Sequence, residues 1–107
     1  MEAAFKRYLT EFYKSLMYNQ VMSFLERYFT NELKFEDEKK QRYRSSKDLE
    51  KLKTNAKDEC EAASKELVDE LEVAGIVSTQ DFIDKQTDVE EILEKYLNKL
   101  KKYLRGL

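Results

Sequence analysis

The chain is 107 residues long, with 20 Lys/Arg against 22 Asp/Glu, a formal net charge of -2, one cysteine, no proline and no histidine. That length bounds it to one domain, residues 1–107. Without histidine there is no ordinary general acid or base near neutral pH, no Ser-His or Cys-His dyad and no common zinc ligand; with one cysteine there is no intrachain disulfide or thiolate cluster.

Only Gly75 and Gly106 are present, so tight hairpins and phosphate-cradling loops lack their usual residues and helices are the default. Mean hydropathy is -0.79 and no run approaches the roughly 20 apolar residues of a membrane helix. The N-terminal stretch carries Glu2, Lys6, Arg7 and Glu11 where a signal peptide needs an unbroken apolar region. A cytoplasmic, all-α chain with no membrane partner is expected.

The first segment, from Ala3 to about Leu33, is the most aromatic. At 100° per residue, Phe5, Tyr8, Leu9, Phe12, Tyr13 and Leu16 share one face, whereas Tyr18, Val21, Met22, Phe24, Leu25, Tyr28 and Phe29 gather opposite. The stripe changes sides near Asn19, which predicts one long helix burying opposite faces in its two halves, or two helices with Asn19 capping the second. Phe35 to Arg44 has only Phe35 and Tyr43 to bury and reads as a solvated connector.

Ser45-Ser46-Lys47-Asp48 has the S-x-x-D pattern of a capping box and predicts a long straight helix over about 46–74. Its inward positions, Leu49, Leu52, Ala56, Cys60, Ala63, Leu67, Leu71 and Ala74, repeat every eleven residues, a period that does not give a left-handed coiled-coil seam. Gly75 then supplies a left-handed stop, followed by Ile76 as its apolar contact. A second box, Ser78 to Asp81, opens a short corner helix over about 79–85 with Phe82 and Ile83 facing in. A third, Thr87 to Glu90, opens a terminal amphipathic helix over about 88–105, with Val89, Ile92, Leu93, Tyr96, Leu97, Leu100, Tyr103 and Leu104 on one stripe and Gly106 as its stop. The fold expected is a small all-α bundle of four to five helices.

The corner ELEVAGIVSTQDFIDK, Glu70 to Lys85, is similar in pattern to the short bacterial SHOCT module: a helix ending in Gly-Ile, a Ser/Thr cap, and a restart with an acid, an aromatic and a base. The resemblance covers sixteen residues, each also what any tight helix-to-helix corner selects, and implies oligomerisation.

Charge is segregated along the chain. Asp58 to Glu94 holds thirteen acids against Lys65 and Lys85, whereas Lys39 to Lys47 holds five bases and no acid. Helically spaced carboxylates, Asp58 with Glu61 and Glu66 with Asp69 and Glu70, read as a solvated acidic face, because the dinuclear sites of helical bundles use Glu-x-x-His. Cys60 sits among Asp58, Glu59 and Glu61, which disfavour a thiolate, and reads as a core residue. No metal, cofactor or catalytic residue is assigned.

Apolar residues cover more of the first segment than one thin core needs. This points to a non-catalytic protein-binding or self-associating module, an accessory subunit or a stoichiometric inhibitor of a larger complex, a class that includes many virus-encoded proteins. The face expected to carry it is Tyr18, Val21, Phe24, Leu25, Tyr28 and Phe29. The alternative is a nucleic-acid-associated subunit that contacts phosphates through Lys39, Lys40, Arg42, Tyr43, Arg44 and Lys47.

Overall fold

A computed structural model describes residues 1–27 and 46–105. They form four helices: α1 (Ala3–Arg27), α2 (Ser46–Val73), α3 (Thr79–Asp84) and α4 (Gln86–Arg105), with no strand among the described residues. The all-α bundle and the bounds expected for α2 and α3 hold to within a residue. The expected cap at Ser45, the helical stop at Gly106 and the connector from Phe35 to Arg44 lie outside the described residues.

Helix α1 is continuous through Asn19, and its buried side chains explain the change of face. They are Leu9, Tyr13, Met17, Val21 and Leu25, a row with a constant spacing of four. Four residues exceed the 3.6 of one turn, so the buried direction rotates by about 40° at every step and by about 160° along the row. The stripe drifts around the helix rather than switching, and no break is needed. Helix α2 buries Ala56, Cys60, Ser64 and Val68, a second row with the same spacing. Rows of this kind are the ridges that interlock in the commonest class of helix packing. Large side chains on α1 share one core with Ala56, Cys60 and Val68 of α2.

The eleven-residue reading of α2 places Ala56, Cys60, Leu67 and Leu71 correctly in the core. Ser64 and Val68, which it leaves outside, are fully buried, while Ala74 is exposed. Ser64 is tolerated there because its hydroxyl donates to the Glu61 carbonyl at 2.8 Å.

The corner follows from local chemistry. Gly75 has φ +78°, and the amides of Ile76 and Gly75 donate to the carbonyls of Leu71 and Glu72 at 2.9 and 3.0 Å, the paired bonds of a Schellman motif. Ile76 is fully buried beneath them. Ser78 then caps α3: its hydroxyl accepts from the Asp81 amide at 3.2 Å, and the Asp81 carboxylate accepts from the amides of Ser78 and Val77 at 3.1 and 3.0 Å. Those amide donors hold the Asp81 carboxyl below its usual range.

Two expectations at this end are corrected. Ile83 is 64% exposed; of the pair, only Phe82 turns inward, stacking on Phe5 of α1 with ring centroids 6.0 Å apart. The terminal helix begins at Gln86, and its ladder reaches back to Lys85, whose carbonyl accepts from the Val89 amide at 3.0 Å. Thr87 therefore lies inside the first turn and cannot serve as the cap. The apolar stripe of α4 is otherwise as expected, with Tyr96 and Leu100 buried and the remaining members packed against the core.

Candidate functional site

The acidic run on α2 is occupied on both flanks. Toward α1, Lys6 lies 2.9 Å from Asp69 and 3.3 Å from Glu72, and the Met1 ammonium lies 3.2 Å from Glu72. Toward α4, Lys95 lies 2.8 Å from Glu70 and Lys99 3.6 Å from Glu66. Lys95 holds the Glu70 carboxyl below its ordinary range, and the Met1 ammonium followed by Lys6 does the same for Glu72. Burial, and then the Glu70 carboxylate, push the Tyr96 phenol up to about 12, while the Lys99 ammonium sits 4.7 Å from the centre of its ring. Of the carboxylates weighed as a cation site, Glu66, Asp69 and Glu70 thus join Glu72 in two ionic seams that tie α2 to its neighbours, whereas Glu61 pairs along its own helix with Lys65 at 3.5 Å. Among the described residues no three Cys, Asp or Glu side chains converge as a metal set.

Cys60 is fully buried, and burial followed by the nearby Glu59 carboxylate pushes its thiol up to about 11, the opposite of an activated nucleophile. Among the described residues no helix is long and apolar enough to cross a membrane.

The side chains expected to face a partner divide into three groups. Val21 and Leu25 are 2% and 1% exposed and belong to the core, because the drifting row carries the buried direction onto them. Tyr18 and Phe24 are half-buried at its margins. Tyr28 and Phe29 lie outside the described residues, as do Lys39, Lys40, Arg42, Tyr43 and Arg44 of the basic run, whereas Lys47 falls in the first turn of α2.

The aromatic side chains that α1 leaves outside are two others, Tyr8 and Phe12. They are 66% and 49% exposed, and their rings stack at 6.4 Å between centroids with planes 22° apart. Phe12 also meets the edge of the buried Tyr13 ring at 5.2 Å, which anchors the pair to the core. Grouping residues at 100° set Tyr8 and Phe12 with Leu9 and Tyr13 and so concealed them. The signal that could have found them is the uninterrupted row from Leu9 to Leu25, from which both are excluded.

Tested against protein-family models, curated proteins and solved structures, the chain matches none.

Proposed function

We propose that this chain is a non-catalytic helical protein-binding module, an accessory subunit or stoichiometric inhibitor, whose binding surface toward another protein or a second copy of itself is the outer face of α1. The observation that supports this reading is the stacked, exposed Tyr8 and Phe12 pair. Isolated exposed apolar residues are ordinary on any protein surface. Two adjacent aromatic rings held in fixed relation differ, because such rings offer large contact area at little cost in side-chain entropy and dominate the energetics of many interfaces. The opposite side of the same helix already supplies its share of the core, so packing within the chain does not account for the pair.

The test places a photoreactive phenylalanine analogue at Phe12 and, as a control, at the exposed Lys101 of α4, followed by irradiation in extract of the native cells. A protein adduct at position 12 but not at 101, insensitive to nuclease, is expected. Equal yields at the two positions would overturn the reading. An adduct lost on nuclease treatment would shift the choice to nucleic acid.

A further inference from the structure

We infer that the partner of this face is a second copy of the same chain, docked antiparallel so that two α1 helices pair about a twofold axis near Leu9 and Thr10. The inference rests on the reading of α1 as a binding face and names its occupant.

Three features of the strip make it complementary to itself. First, Tyr8 and Phe12 are four residues apart, so a twofold axis midway between them sets each Tyr8 against the other copy's Phe12. Second, Arg7 and Glu11 lie one turn apart on the same flank of that pair. Antiparallel pairing brings like flanks together, so each Arg7 meets a Glu11 of the other copy. Both are available: Arg7 is exposed and makes no ion pair or hydrogen bond among the described residues, and Glu11, 66% exposed, has only a loose contact with Lys14 at 3.9 Å. A parallel pairing would carry this flank to the opposite edge of the interface in the second copy, so that Arg7 and Glu11 of the two copies would not meet. Third, the strip continues into the exposed short side chains of Ala4 and Ser15, which fall opposite one another under the same axis and let the helices come close.

Size sets the strength. An axis near Leu9 and Thr10 overlaps the two copies of α1 only from Ala3 to Leu16, about 21 Å, and a helix-wide strip on the order of 10 Å then buries about 400 Å² over both copies. That falls below the roughly 1,200 Å² of a standard interface, so the dimer belongs to the weak, reversible class and forms at high protein concentration.

The experiment is sedimentation equilibrium up to millimolar protein, with circular dichroism of each variant to confirm the fold. The wild type should approach twice its 12.8 kDa mass. Arg7→Glu and Glu11→Arg each turn two attractive contacts into two repulsive ones and should weaken self-association by about tenfold. An equimolar mixture of the two variants restores both contacts in the heterodimer and should recover wild-type affinity. A wild type that stays monomeric, or variants that associate as the wild type does, would overturn the inference.

The adduct at position 12, formed in extract to which the chain is added at millimolar concentration, separates the two claims. A mass of two chains supports both. A mass that reports a different protein keeps the binding face and rejects the second copy, and no adduct rejects both.

Discussion

Helices α1 and α4 both pack on α2 around one shared core, each tied to it by ion pairs, yet they hide their apolar residues differently. All eight apolar stripe positions of α4 are buried or half-buried, and its outer face is entirely polar. Helix α1 buries a single row and leaves two aromatic rings in solvent. The difference lies in the spacing. In α4 the stripe alternates steps of three and four and stays on one side, whereas the constant step of four in α1 carries the buried face around the helix. A helix of the first kind has one interior and one exterior, and a helix of the second kind has apolar residues on nearly every side. Only packing decides which of them are core.

The largest effect expected is at Cys60, which is fully buried in the shared core of α1, α2 and α4 and lies close enough to Tyr103 of α4 to act on its phenol. Cys60→Glu introduces a carboxylate into a fully buried site with no cation to pair it, at a cost of several kcal/mol, and should abolish the cooperative melt seen by far-ultraviolet circular dichroism. Cys60→Ala removes one small group, costs about 1 kcal/mol and should leave the helices intact. The native thiol should react with a maleimide far more slowly than the denatured chain. Equal rates would show that this part of α2 is not covered on both sides.

A sharper comparison comes from truncating one residue on each side of α1. Met17 is fully buried and Phe12 is 49% exposed. Met17→Ala should cost about 2–5 kcal/mol, similar to Leu100→Ala in α4, whereas Phe12→Ala should stay within about 1 kcal/mol despite removing the larger side chain. Urea melts that reversed this order would place Phe12 in the core and remove the proposed binding face.

The same contrast explains what was legible in the sequence. The corner from Gly75 to Asp81 was read residue by residue because its signals are local: a left-handed glycine and a reciprocal Ser and Asp cap fix the chain over a few bonds. The box expected at Thr87 obeys the same grammar and failed because Lys85 is the one non-helical residue between α3 and α4, so α4 starts at Gln86 and Thr87 already lies inside it. The register of α1 against α2 was not legible. It depends on which rows of α2 are buried, and Ser64, a polar residue, belongs to one of them. The candidate face suffered from the same error: Val21 and Leu25 have the composition of an interface, but only the drift of the row assigns them to the core.

The smallest effect expected distinguishes the two ionic seams. Glu70 and Glu72 both have folded-state pKa values below the ordinary 4.5, so each contributes stability that is fully present above that value and is lost as pH falls through the lower folded value. Lys6 is raised above 10.5, by its hydrogen bond to Asp69 and then that to Glu72, so its contribution is present below that value and is lost as pH rises through the raised one. Thermal stability should therefore be level across the neutral range and decline at both ends. The charges lie at the surface, so the decline should be modest and smaller still in high salt. The seams differ in what holds each carboxylate. Lys95 is the principal cause for Glu70, whereas for Glu72 the Met1 ammonium outranks Lys6. Lys95→Gln should consequently flatten the acid limb of the melting profile more than Lys6→Gln, because the second variant leaves Glu72 its main partner. A Lys6→Gln variant that lost as much of the acid limb as Lys95→Gln would mean that the terminal ammonium does not hold Glu72 in solution, and that the α1 seam rests on Lys6 alone.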